Sequence, residues 1–150
     1  MKLDSWHVPE WDRVNPGTQI PERAILDVLT RDPRTGLALC IDARVTSELS
    51  AYPARLRARA NNDGSAVADS AAEKRRRYPP SKLPHATLLP FVLEAGGRAS
   101  EEAAAMVRYW GARSGDPATV TPKLWQSLST TLQVGNAESI MSALGPQRLV

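Results

Sequence analysis

Residues 24–46 read AILDVLTRDPRTGLALCIDARVT, two apolar runs on either side of a turn. Ala24–Thr30 and Leu37–Thr46 carry the residues of strands, and Asp32–Gly36 supplies the Asp, Pro and Gly that reverse a chain. The stretch predicts a β-hairpin. Alternation sorts the second strand into Leu37, Leu39, Ile41, Ala43 and Val45 on an expected core face, and Ala38, Cys40, Asp42, Arg44 and Thr46 on the other. Leu26 and Val28 are expected to join the core face, with Ile25, Asp27 and Leu29 on the second. With the turn centred between Arg34 and Thr35, Asp27 falls opposite Asp42. Like charges directly opposed destabilise a sheet. The pair therefore asks for a compensating charge, and a divalent cation is the natural candidate.

Outward from the hairpin, residues 1–23 are rich in Trp and Pro and read as an irregular lead-in whose tryptophans pack on the sheet. A short strand around Trp6–Val8 is compatible with it. Ser47–Asn62 is a polar connection whose Arg55, Arg57 and Arg59 suit a strand edge or a short helix. Asp63 or Ser65 can cap a helix over Ser65–Tyr78, stopped by Pro79 and Pro80. Thr87–Glu94 (TLLPFVLE) fits a buried strand, with Pro90 pointing to an edge or a bulge. Ser100 caps a helix that presents Ala103, Met106, Val107 and Trp110 to the core and ends at Gly111, Gly115 and Pro117. Thr121 and Pro122 open a last helix, with Gly135 as a candidate interruption and Gly145 and Pro146 as its stop. Trp110 and Trp125 are expected in the core.

These elements predict an α/β (α+β) domain: a mixed β-sheet with an N-terminal hairpin, a helix crossover to a third strand, and two C-terminal helices packed on it. Residues 24–146 form the single domain of this reading, and 147–150 are a tail. A chain of 150 residues supports one modest core. The net charge of +3 permits a polyanionic partner. One cysteine excludes a disulfide framework and a cysteine-rich zinc site. No stretch is apolar enough to span a bilayer and no signal-peptide core is present, so the expectation is an intracellular protein without a membrane partner.

Two carboxylates on adjacent strands can bind Mg²⁺ or Mn²⁺, which take oxygen ligands and complete their shell with water and phosphate. Lys74 heads the run Lys74-Arg75-Arg76-Arg77-Tyr78 on the crossover helix, from which an ammonium can assist an attacking water. Glu94 is a further candidate acid. Arg75, Arg76, Arg77, Arg55 and Arg57 are candidate phosphate contacts. The competing reading takes the aspartates as two solvated residues and the arginines as a solvated face, since a helix spreads consecutive residues around its axis.

The series Leu26-Asp27-Val28, Ile41-Asp42-Ala43-Arg44-Val45-Thr46, Lys74 through Tyr78-Pro79, and Phe91-Val92-Leu93-Glu94 with Gly96-Gly97-Arg98 resembles the restriction-like endonuclease region of non-LTR retrotransposon proteins. That region belongs to the PD-(D/E)XK superfamily and usually follows a reverse transcriptase. The resemblance implies a metal-dependent DNA endonuclease, with Asp27 and Asp42 as metal ligands and Lys74 as the catalytic lysine beside a tyrosine. Arg44 stands where the D-x-K pattern has lysine; it stays protonated and can stabilise charge but not act as a base. Where a preceding helix usually contributes an acid, Glu10 or Glu22 would substitute. The resemblance further implies DNA as partner, a reverse transcriptase domain in the parent protein, a homodimer for double-strand cutting and a nuclear location. The alternatives are a catalytically inactive nucleic-acid-binding domain of the same fold and a protein-interaction scaffold.

Overall fold

The hairpin turn is held by its own backbone and by Asp32. In the computed structural model, which describes residues 6–32, 34–47, 49 and 52–144, Asp32 N–H donates to Leu37 O at 2.8 Å and Gly36 N–H donates to Asp32 O at 2.7 Å. The buried Asp32 carboxylate accepts from Arg34 N–H at 2.9 Å and from the Arg34 guanidinium at 3.1 Å. Gly36 has φ +72°, a left-handed conformation that suits glycine. The turn sets strand β5 (Val28–Arg31) against β6 (Ala38–Thr46), antiparallel, with Val28 opposite Ile41 and Arg31 opposite Ala38. That register is the one expected from a turn centred between Arg34 and Thr35.

The first strand breaks at Asp27. Before it, β4 (Ile25–Leu26) pairs instead with β1 (Trp6–His7). The break corrects the face assignment: Leu26 packs with Cys40, while Val28 packs on the opposite face with Leu39 and Ile41. Leu37 and Val45, expected in the core, are exposed. Between β1 and β4 the lead-in carries a second ribbon, β2 (Arg13–Val14) against β3 (Pro21–Glu22). Its Trp11 is buried, stacks obliquely on Tyr78 and donates from Nε1 to Pro79 O at 3.0 Å, whereas Trp6 is exposed.

After β6 come two helices, α1 (Pro53–Asn61) and α2 (Ser65–Arg77). Of the two readings open for the arginine-rich connection, the helix is observed. The residue before α2 is Gly64 at φ +74°, so neither Asp63 nor Ser65 caps it through a side chain. The chain then returns through β7 (Ala86–Glu94), parallel to β6 from Ala38 opposite Ala86 to Thr46 opposite Glu94. Sheet order is β5-β6-β7, a mixed sheet with Pro90 on an edge strand, where a missing backbone N–H is tolerated.

Helices cover both faces. Val67 and Ala71 of α2 pack on Val92, and α3 (Glu101–Arg113) places Met106 against Leu39 and Ile41 on the other side. Ser100 caps α3, accepting from Ala103 N–H at 3.3 Å. Trp110 is largely exposed, contrary to the core assignment, and Trp125 is half-buried. The last helix, α4 (Pro117–Leu144), begins ahead of Thr121. Asp116 accepts from Thr119 N–H at 3.2 Å and Pro117 takes the first helical position, so residues expected to end one helix start the next. Pro122 lies inside α4, and the helix runs through Gly135 without interruption. The expected stop at Gly145 and Pro146 and the tail 147–150 lie outside the described residues.

Candidate active site

Asp42 sits in the middle of β6 on the face that α2 covers, and is almost completely buried. A carboxylate there needs a partner. Lys74, in the last turn of α2, places Nζ 2.6 Å from Asp42 Oδ2, an ion pair in which the lysine side chain is 17% exposed and that of the aspartate 6%. Tyr78 follows Lys74 by four residues, one turn along the same face. It is buried, and its hydroxyl and the Asp42 carboxylate are near enough to act on each other's titration.

Asp27 reaches the cluster from the neighbouring strand. Its N–H donates to Ile41 O at 3.1 Å, and its Oδ2 accepts from Ala43 N–H at 2.7 Å. The exposed carboxylate thus replaces a backbone acceptor at the point where the strand breaks, which ties it to the residue after Asp42. Its charge is felt by Asp42. Burial pushes the Asp42 carboxyl above the ordinary carboxylate value; the Lys74 ammonium and the Tyr78 hydroxyl pull it down, and Asp27 pushes it up. Tyr78 is raised as well, first by burial and then by the charge of Asp42. The compensating charge expected for the aspartate pair is supplied within the fold by Lys74.

Asp27, Asp42 and Lys74 are therefore brought together, and Glu94 is not. Glu94 lies opposite Thr46, four residues along the ladder from the Asp42–Pro90 pair, about 13 Å by strand rise. It is buried and faces Arg98 Nε at 3.4 Å. Glu22 is taken by Arg13 at 2.8 Å and Asn15 at 2.5 Å. Arg44 pairs with Glu73 at 2.7 Å.

The arginine run divides around α2, as helical geometry requires. Arg75 pairs with Glu102 of α3. Arg77 donates to Trp11 O at 2.5 Å and Glu22 O at 3.2 Å, clamping the lead-in to the helix. Arg76 faces a polar groove with Arg44 and Arg55. Arg57 is exposed on α1 and does not line that groove. Tyr78, the tyrosine beside Lys74, shares its face of α2 by its four-residue spacing. Arg59, one helical turn from Arg55 in the arginine-rich connection, lines the groove as Arg55 does.

Among the described residues no group of three or more His, Cys, Asp or Glu side chains converges to hold a metal ion. Two carboxylates, one buried in β6 and one just beyond the end of β5, are the kind of oxygen ligands a hard cation takes while keeping most of its shell as water, but the buried one is already met by Lys74. Compared with family models, with curated proteins and with solved structures, the chain finds no match. No described helix is long and apolar enough to cross a membrane.

Proposed function

We propose that the chain is a metal-dependent endonuclease-like domain that hydrolyses phosphodiester bonds in DNA, of the restriction-like type found in retroelement proteins. The observation that carries this reading is the delivery of the Lys74 ammonium by α2 onto the buried Asp42, beside Asp27. In this reading Asp27 and Asp42 hold Mg²⁺ or Mn²⁺, which when bound lowers the pKa of a coordinated water and stabilises charge on phosphorus. Lys74 neutralises charge developing on the phosphate or orients the attacking water. Tyr78 holds the Asp42 carboxylate in place. Arg44 stays protonated and contributes charge alone. The parent protein would carry a reverse transcriptase domain, two copies would pair to cut both strands, and the work would be nuclear.

A nicking assay on supercoiled plasmid with Mn²⁺ tests the reading. Cleavage by the parent chain and its loss in Asp42→Asn, with DNA binding retained, support it. No cleavage with either cation, or equal cleavage by Asp42→Asn, overturns it. One observation favours a second reading, a non-catalytic nucleic-acid-binding domain: the charge of Asp42 is already met by Lys74, and among the described residues no third acid joins the pair. Binding of DNA without cleavage by the parent chain is its signature.

A further inference from the structure

Helix α1 has little apolar packing to hold it, although it touches α2. None of its nine residues, PARLRARAN, is fully buried, and Arg59 alone is half-buried. An isolated helix of that length is marginal in water, and one that is polar nearly all round lacks the apolar face that normally holds a surface helix. What fastens α1 is Arg59, whose Nη1 donates to Ser47 O at 2.7 Å and Leu49 O at 3.3 Å. Arg59 Nε is buried without a hydrogen-bond partner. The helix stands over a polar groove of about 610 Å³, into which Arg55 and Arg59 of α1, Arg76 of α2 and Arg44 of β6 converge. Asp69 and Glu73 also line it, leaving a positive excess, and Glu73 is engaged by Arg44. Arg55 and Arg76 are exposed, and Arg55 lies over the Tyr52 ring.

We infer that this groove binds the phosphodiester backbone of a nucleic acid and that binding steadies α1. Arg55 and Arg76, exposed and carried on two helices, with Arg44 and Arg59 adding charge along the same concave surface while held by Glu73 and by backbone carbonyls, fit a chain of phosphates better than a single small anion. The groove also has a fixed relation to the candidate active site. Arg44 follows Asp42 by two residues on the same face of β6, about 7 Å along the strand. A strand seated on the arginines therefore runs toward the Asp42–Lys74 pair. The inference rests on the nuclease reading for the identity of the polymer; the charge and shape of the groove stand without it.

The test is fluorescence anisotropy of a labelled DNA duplex in EDTA, titrated with salt, for the parent chain and for Arg55→Ala, Arg76→Ala and Arg108→Ala. The three side chains are exposed, so the fold is spared; Arg108 lies on α3 and removes the same charge away from the groove. Each phosphate contact contributes about −0.9 to the log–log salt slope. Arg55→Ala and Arg76→Ala are each expected to make the slope shallower by about one, with Arg108→Ala unchanged. Amide exchange over residues 53–61 is expected to slow when DNA is added. Equal slopes in all three variants, exchange in α1 that ignores DNA, or binding to phosphatidylserine vesicles in place of the duplex overturns the inference. Binding with these slopes but no Mn²⁺-dependent cleavage keeps the groove and removes the nuclease; cleavage with slopes unaffected by Arg55 and Arg76 does the reverse.

Discussion

Asp42 sets stability and chemistry against each other. Burial raises its folded-state pKa, so the fold favours the protonated carboxyl. That contribution to stability is complete below the ordinary carboxylate pKa and is lost as pH rises through the raised value. Asp42→Asn, neutral at every pH, is expected to melt higher than the parent chain at pH 7, with the gap narrowing on acidification; thermal melts at the two ends check it. A metal ion needs the opposite state, so Mn²⁺ affinity is expected to fall on acidification starting above the ordinary aspartate range, measured by calorimetry. Asp32 behaves in the reverse sense. Arg34 lowers its pKa, so its stabilisation is present above the ordinary value and is lost as pH falls through the depressed one. Asp32→Ala should lower the melting temperature at pH 7 and much less in strong acid. Gly36→Ala, which meets no atom within 4 Å, should cost about 1–2 kcal/mol from backbone conformation alone. Much of this was legible in the sequence. Turn chemistry fixed the register from Arg31 opposite Ala38 to Val28 opposite Ile41; Asp27, where the strand breaks, stands just beyond that ladder. The partner was harder, because Lys74 reaches Asp42 only once the crossover helix is laid on the sheet, and spacing along a chain does not state that angle.

Strand β7 follows from its apolar run and helix α3 from its apolar period and the Ser100 cap, whereas alternation over residues 37–46 placed Leu37 and Val45 in a core they do not reach. Helix α1 has no apolar period to find, so its existence depends on what its arginines meet. The joint between α3 and α4 was misread because Gly111 and Pro117 count as breakers out of context. In the fold Gly111 lies inside α3, where a Cβ would collide with Thr121 of α4; the two helices approach closely there. Gly111→Ala is therefore expected to destabilise by about 1–3 kcal/mol, the range of overpacking, roughly 2–4 °C in melting temperature per kcal/mol for a chain of this size. Arg77 makes an equally local prediction. Its two hydrogen bonds to lead-in carbonyls give it a structural task, so Arg77→Ala should cost about 1.5–3 kcal/mol, the range for bonds to a charged group. The DNA salt slope should stay unchanged. Denaturant melts and anisotropy on the same variant separate the two roles that the sequence left merged in one arginine run.

The molecule as a whole is a three-stranded mixed sheet with α2 on one face and α3 on the other, and its lead-in closes one end over Trp11 and Tyr78. Tyr78 joins the two tasks: it is buried in that core, and its hydroxyl helps hold down the pKa of Asp42. The fold class could be reached from periodicity, since a hairpin followed by a crossover to a parallel strand leaves few topologies. The depth of the site could not, because both faces of β6 are covered and alternation marks just one as core. Its chemistry reduces to whether Asp27 and Asp42 hold one cation with Lys74 beside it. A crystal soaked in Mn²⁺ and measured at the manganese absorption edge decides this. The expected result is an anomalous peak at about 2.0–2.2 Å from oxygens of both aspartates, a distance typical of small hard cations, with Nζ of Lys74 withdrawn from Asp42 Oδ2. A crystal with no peak there, and the ammonium still seated on that oxygen, contradicts it.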